Sequence, residues 1–496
     1  MKVAARIPPD APGFATNPTM CALRTATGRS VHVRGGDVAA RRRRIWLGVL
    51  AVASSLSLVA CSGSGNNSSG SPSSSAKSPA ASSSPSASSP DLSGKSFTIL
   101  GQWTGGEQKA FQAVIDAFDK KTGASGKYTP AAGGDEATVL GTKVAGGNPP
   151  DVAILSLPGA IAQYASSGKL QPATAAMQSA TNDNFSKEWA TLGSYKGKLY
   201  GVPVDASNKS TIWYNAKLFS NAGLKSAPAT WNDLIKDGHT LSDSGVAVPI
   251  SVGGGDGWTL TDWFENVYLR TAGLSMYDKL TKHEIKWTDP SVTKALDTLK
   301  QIWGSKALIG DPAQAVKVPF TASVDNVFKA NPKSALVYEA SFVATTITSD
   351  KLPAKVGTDA KVAPFPSVDG SKPVVEAAGD FAVGFTKNEA ASQFMAYLGS
   401  AEAAKLLVGT AGSGFISANK NLQVPDYNDP VSGQLGKQIV DVGNNFRFDM
   451  SDQAPAAFGG TPNKGEWADL QSFLTTGNVK ATQQQLEKDA SAVKWQ

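Results

Sequence analysis

The sequence predicts an α/β fold divided over two lobes. Three observations lead there. Stretches with strand-like and helix-like apolar periodicity alternate along residues 95–496. No internal repeat of roughly 20–50 residues runs through them. About 400 residues are more than one sheet and one core normally organise, so the elements are expected to divide between two.

Taken in order, Ser96-Phe97-Thr98-Ile99-Leu100 alternates and reads as a strand, and the polar-aromatic loop Gly101-Gln102-Trp103-Thr104-Gly105-Gly106 follows it. Phe111, Val114, Ile115 and Phe118 fall at i, i+3, i+4 and i+7 and mark an amphipathic helix. The turn Gly146-Gly147-Asn148-Pro149-Pro150 leads into a second short strand, Asp151–Leu155, and Ile161–Leu170 reads as a helix ending near Gly168. Strand, helix, strand, helix predicts a largely parallel sheet. Thr230 and Asp233 form a capping pair ahead of Leu234-Ile235. Asp289 and Pro290 suit the N-cap and first position of a helix in which Val292, Ala295, Leu296, Leu299, Ile302 and Trp303 keep the helical period. Ala335–Tyr338 and Phe381–Phe385 read as buried strands, and Ala391, Phe394, Met395 and Leu398 as a further helix face.

The N-terminal 60 residues follow different rules. Arg41–Arg44 precede the apolar stretch Ile45–Ala60, which is too short and too serine-rich to span a bilayer and reads as an export signal. It closes on Leu58-Val59-Ala60-Cys61. Residues 62–94 are dominated by Ser, Pro, Ala and Gly and lack the apolar bulk to offset their ordering entropy, so they read as a tether.

Composition excludes several classes. The formal charge of +6 comes from the N-terminal 60 residues, which hold nine basic and two acidic side chains; the remainder carries 38 basic against 39 acidic groups. No dense positive face is left for nucleic acid. The two cysteines, Cys21 and Cys61, leave the body without disulfide or thiol nucleophile, and His239 and His283 match no metal-binding spacing. Only Arg270 and Arg447 are arginines beyond residue 60, which argues against an anionic ligand. Gly253-Gly254-Gly255-Asp256-Gly257 is followed by no Gly-Lys-Ser/Thr, its flanks do not read as strand then helix, and no G-x-S-x-G elbow surrounds Ser413. A glycosidase pair of carboxylates remains open on composition alone. The aromatic residues point to a binding cleft, since aromatic faces stack on the C–H faces of sugars while carboxylates and amides take the hydroxyls. Trp103, in a glycine-rich loop, is the expected stacking residue. Trp258 and Trp263 flank Asp262 after the glycine run, whereas Trp213 and Trp303 are expected in the core.

Four stretches together resemble a known family: TILGQWTGGEQKAFQAVIDAF, VAGGNPPDVAILSLPGAIAQYASSGKLQP, YGVPVDASNKSTIWYNAKLFSNAGL and ATWNDLI. The chain is similar over residues 95–496 to the extracellular solute-binding proteins of family 1, receptors of carbohydrate ABC importers. GGDGWTLTDWFENVYLRTAG, HEIKWTDPSV and RFDMSDQAPAAFGGTPNKGEW look like its α-glucoside-binding branch. The resemblance implies a two-lobe periplasmic-binding-protein-like fold of type II. Its two α/β lobes are joined by a hinge and close on a mono- or oligosaccharide, which is handed to ABC permease subunits without catalysis, metal or cofactor. It implies a lipid on Cys61, the outer face of the cell membrane, and a monomer. The lobe boundaries it suggests are residues 95–204 plus about 380–425, and about 205–379 plus about 426–496. The alternatives are an exported glycoside hydrolase and a receptor of the same fold for another small ligand.

Placed on this sequence, the family's cleft gives these candidates: Gln102, Trp103 and Glu107 after the first strand, and Asp135 and Glu136 in a glycine turn. Asp205 lies where the chain first crosses between lobes, and Asp256, Trp258 and Asp262 belong to the second lobe. Glu339 and Phe342 follow a strand, Gly379 and Asp380 mark the return crossing, and Arg447 and Asp449 sit in the C-terminal stretch. The hinge is expected near Val204–Ser207 and Gly379–Asp380. Leu157-Pro158-Gly159 stands where maltose-binding members carry a ligand-contacting Asp, which argues against maltose itself.

Overall fold

A computed structural model describes residues 90–131 and 136–495. The export segment, Cys61, the tether up to residue 89 and Asp135 lie outside the described residues; the tether's expected end is corrected, because Leu92 is buried in the first lobe's core and its N–H donates to the Thr122 carbonyl.

Two sheets form the centres of two lobes. The first has five strands in the order Ser125–Pro130, Ser96–Gly101, Val152–Leu155, Phe381–Gly384, Gly201–Pro203. The second has four, in the order Ala360–Pro364, Thr211–Asn215, Leu336–Tyr338, Ile250–Ser251. The helix Gly105–Thr122 lays Phe111, Val114, Ile115 and Phe118 on the first sheet, where Phe97 and Phe394 complete the layer. The helices Trp258–Ala272 and Pro290–Trp303 pack together in the second lobe around Trp263, Phe264, Leu296 and Trp303. The predicted caps are present: the Asp289 side chain accepts from Ser291 N–H with Pro290 at the first helical position, and Thr230 and Asp233 exchange hydrogen bonds.

Two expectations need correcting. The first sheet is not largely parallel: Ser96–Gly101 pairs in parallel with both its neighbours, but Phe381–Gly384 runs antiparallel to Val152–Leu155 and to Gly201–Pro203. That strand returns from the other lobe rather than from a local strand–helix–strand unit, so the rule for such units does not set its direction. The glycine run 253–257 does stand between a strand, Ile250–Ser251, and a helix, Trp258–Ala272. Two residues are too few to show alternation, which hid the strand.

A third sheet links the lobes. It holds Phe446–Phe448, Val375–Ala378 and Ser207–Asn208. The chain leaves the first sheet at Pro203 and reaches the second at Thr211, and it returns through Val375–Ala378 to Phe381. The two passing segments touch: Val204 N–H donates to Asp380 C=O at 2.9 Å, and Asp380 N–H donates to Asp205 Oδ1 at 2.7 Å. Trp189 fills the space behind them against Phe381, Phe446 and Phe448. No helix among the described residues is long and apolar enough to cross a membrane.

Gly379 is required by this contact. A Cβ there would stand 2.5 Å from the Asp205 carbonyl oxygen and 3.0 Å from both Ala206 Cα and Trp189. Gly379→Ala should therefore destabilise the fold by about 1–3 kcal/mol, read as a lower denaturant midpoint. An unchanged midpoint would show that the two segments are not so closely apposed.

Candidate functional site

The lobes meet beyond the third sheet at two places. At Gly159, in the helix Pro158–Ser166, a Cβ would lie 2.5 Å from the Ala454 carbonyl oxygen and 2.9 Å from that of Gln453. At Gly414, φ is +68° and a Cβ would collide with Thr345 in the helix Val343–Ser349. Carboxyl groups from the first lobe, the linking segments and the C-terminal stretch lie close enough to influence one another.

Glu107 sits in the first turn of the helix Gly105–Thr122, where the helix dipole favours an anion. Its carboxyl is nonetheless pushed up to about 7, by burial first and by Asp380 second. Asp380 is raised to about 6 by burial, against the hydrogen bonds of Gln102 and Trp103. The Gln102 amide lies 3.4 Å from Asp380 Oδ2. Asp205 is pushed well above the carboxylate range by burial, then by Asp380 and Glu107. Asp452, in the helix Met450–Gln453, is raised by burial, then by Asp449, against Lys209, and it also feels Asp262 and Asp380.

Lys209 stands between these groups and the second lobe. Its Nζ donates to Asp262 Oδ1 at 3.0 Å and to Asp449 Oδ2. Burial works against the charge of Asp449, but Lys209 and the Ser451 and Asp452 donors hold it below the usual range. Asp262 is raised to about 7 by burial, against Lys209. Asp449 is therefore the counter-ion that keeps its charge, and Asp262 is the first of the two to take up a proton. Oxygens of Asp262, Glu376 and Asp449 lie within 4.8 Å of one another, a spacing that suits a cation, and the Lys209 ammonium is bonded to two of the three. Glu339 is buried beside Asp262 and raised by burial and by that neighbour.

An aromatic trio adjoins this cluster. Trp258 has its ring centroid 5.2 Å from Phe320 and 5.8 Å from Phe342, and the last two are 5.3 Å apart. All three are half-buried, each stands at the N-terminal end of a helix, and Lys209 Nζ lies 5.8 Å from the Trp258 ring. Phe320 was missed because its neighbours, Val318-Pro319, gave no cleft signal. The signal lay 64 residues away, where Asp256 Oδ2 accepts from Phe320 N–H.

Several sequence candidates change role. Trp103 is 3% exposed and wedged edge-on between Phe111 and Phe415 in the first lobe's core, so it offers no open face for stacking. A glycine-rich loop let the ring fold inward. Trp263 is likewise core, as are Trp213 and Trp303. Asp256 is exposed and orders a loop. Arg447 is drawn away by Asp278, which takes its Nε and Nη2, and it lines a separate cavity of about 460 Å³ with Lys187, Tyr277 and Lys282. Gly379 contributes space rather than a contact. Glu136 is buried at the start of the helix Glu136–Ala145. Lys209 and Asp452 were not foreseen; lysines are plentiful and nothing local marks this one.

Residues 103–405 match the model of the bacterial extracellular solute-binding protein family. The chain belongs to that family. It is 32% identical over 383 residues to the alpha-glucosides-binding periplasmic protein AglE of Rhizobium meliloti, covering 74% of this chain and 82% of AglE. It is 31% identical over 373 residues to the osmoprotective compounds-binding protein GgtB of Synechocystis, covering 74% and 86%. The solved structure of the bacterial solute receptor AcbH superposes with a TM-score of 0.66 at 20% identity, over 80% of this chain and 99% of AcbH, which shows the shared fold. The family members are substrate-binding proteins of carbohydrate ABC importers, and the fold is the two-lobe type of the periplasmic binding proteins.

Two predictions follow from the geometry. Trp103→Ala should cost about 3–5 kcal/mol of stability, seen in a melting curve, because it empties an aromatic core site. The acid groups predict a pH dependence. Glu107, Asp380 and Asp262 bind protons more tightly folded than unfolded, so they lower stability as pH rises from the ordinary carboxylate range through about 7. Asp449 acts in the opposite sense, at lower pH. Urea midpoints should fall between pH 5 and pH 8, and the fall should shrink in Glu107→Gln. A flat profile would show that the cluster is not desolvated.

Proposed function

We propose that the cleft between the lobes binds a mono- or oligosaccharide, and that the trio Trp258, Phe320 and Phe342 forms its stacking wall. The observation that carries this reading is the half-buried trio beside Lys209, whose ammonium lies 5.8 Å from the Trp258 ring and is held by Asp262 and Asp449. The aromatic rings suit the apolar faces of a sugar, and Gln102, Glu107, Asp205 and Asp380 on the first-lobe side suit its hydroxyls. AglE's specificity makes an α-glucoside the first sugar to test.

On this reading the protein performs no chemistry. It closes about the segments 204–207 and 379–380, holds the ligand between two walls, and gives it up when a membrane permease parts the lobes. The lobe division proposed is residues 95–204 with about 380–425, and about 205–379 with about 426–496. Leu58-Val59-Ala60-Cys61 after the apolar segment supports a lipid on Cys61 that keeps a monomeric receptor at the outer face of the membrane. One chain alone anchors only marginally, so more than one is expected. Mass spectrometry of the mature N-terminus should find a lipid-modified Cys61; an unmodified N-terminus elsewhere would refute the anchor.

Trp258→Ala should weaken sugar binding by about 1–3 kcal/mol in titration calorimetry, by analogy with aromatic stacking on other ring ligands, with a smaller effect on the melting curve. Unchanged affinity with a lowered melting temperature would place Trp258 in the core instead. Small-angle scattering with saturating sugar should show a smaller radius of gyration than without it. Unchanged scattering despite proven binding would mean that the lobes do not close.

A further inference from the structure

The cavity beside Arg447 belongs to neither lobe alone. The helix Lys187–Leu192 of the first lobe forms one wall, the helix Leu274–Thr281 of the second forms the other, and the linking strand Phe446–Phe448 runs between them. The second-lobe wall is tied to the strand, because Asp278 takes Arg447 Nε and Nη2. The first-lobe wall meets the strand through Trp189, whose ring stacks on Phe446 and stands edge-on to Phe448. The volume of about 460 Å³ is that of a small-molecule site.

The crossing segment separates this cavity from the carboxyl groups of the proposed sugar site. A Cβ on Gly379 would lie 3.0 Å from Trp189, and the Phe381 ring centroid is 6.0 Å from that of Trp189. Both neighbours of Asp380 therefore turn to the helix that walls the cavity. Asp380 itself reaches the Gln102 amide, in the loop after the first strand. A rotation about the crossing that draws the cleft walls together parts the walls of the cavity. A molecule lodged in the cavity then resists reopening, and so favours the closed form.

The lining sets the class of that molecule. Tyr277, Phe446 and Phe448 are buried and supply aromatic surface. Lys187, Lys282 and Arg447 stand against Glu188 and Asp278, three cations to two carboxylates. Asp278 is taken by Arg447, and neither Lys187 nor Lys282 enters an ion pair among the described residues. Beyond residue 60 the chain carries 38 basic against 39 acidic groups, so the positive excess is local. An anionic head meets the two lysines there, and an apolar body meets the rings.

We propose that this cavity is a second binding site, for a small anionic molecule with an apolar body, and that its occupant and the sugar strengthen each other's binding. The coupling rests on the reading of the cleft as a sugar site that closes; the second site itself does not.

The test titrates the full mature protein with the dye anilinonaphthalene sulfonate, an anion on an apolar body whose fluorescence rises when it leaves water. One-to-one binding is expected. Saturating sugar should tighten it about fivefold or more, and the dye should tighten the sugar by the same factor in calorimetry. Lys187, Lys282 and Thr191 are exposed, so substitutions there should leave the melting curve in place. The double variant Lys187→Glu with Lys282→Glu should lose the dye, and so should Thr191→Trp, which fills the cavity from the first-lobe wall. No binding, or binding that both variants retain, would overturn the proposal. Sugar that displaces the dye would put the dye in the cleft and overturn it too. Dye held in the cavity with an affinity that bound sugar leaves unchanged would overturn the coupling. Dye held in the cavity of a protein that binds no sugar would overturn the sugar reading instead and leave the second site standing.

Discussion

The Lys209 ammonium, held by Asp262 and Asp449, is the interaction around which the molecule is organised. Lys209 follows the linking strand Ser207–Asn208, Asp262 comes from the helix Trp258–Ala272, and Asp449 directly follows the linking strand Phe446–Phe448. One buried cation therefore fixes three chain segments. The Lys209 backbone carbonyl adds to this by accepting from Asn266 and from the Tyr338 hydroxyl. Breaking a buried pair by removing one partner leaves an uncompensated charge, typically about 3–5 kcal/mol, so this corner cannot loosen cheaply. Asn266 of the same helix extends the network to Ser210, whose hydroxyl donates to it, and to Glu376 of the linking strand, which accepts from its amide.

A rigid corner of this kind is what a closing receptor needs behind its cleft. In the closure proposed above the lobes move as bodies and the movement is confined to few residues. In the proposed closure the crossing at Asp205, Gly379 and Asp380 is that place, while Gly159 lets the lobes approach to backbone contact at one edge and Gly414 makes room for the Thr345 side chain at the other. The absence of a carboxylate at Leu157-Pro158-Gly159 then has a structural reason. The first turn of that helix packs on the Gln453 and Ala454 carbonyls, where Gly159 leaves no room for a side chain.

Much of the architecture was legible in the sequence because it rests on periodicity and caps. Phe111 to Phe118, Val292 to Trp303, Thr230 with Asp233 and Asp289 with Pro290 all act locally. The direction of Phe381–Gly384 was not legible, since it depends on a partner more than 200 residues away in the chain. The site divides in the same way. Glu107, Asp205, Asp380, Asp262, Trp258 and Phe342 came from motif positions and do gather in space. Trp103 misled because a loop setting says nothing of which way a ring turns. Phe320, Lys209 and Asp452 stayed hidden because only tertiary packing brings them to the cluster.

The central claim is that a sugar sits between the lobes on the wall formed by Trp258, Phe320 and Phe342. The most direct test is a crystal structure of the mature protein grown with the sugar that most raises its melting temperature. The account predicts a pyranose ring stacked on that trio, with its polar groups reaching Glu107, Asp380 and Asp452. A ligand found instead in the cavity beside Arg447 and Asp278, or one that leaves the trio uncovered, would contradict it.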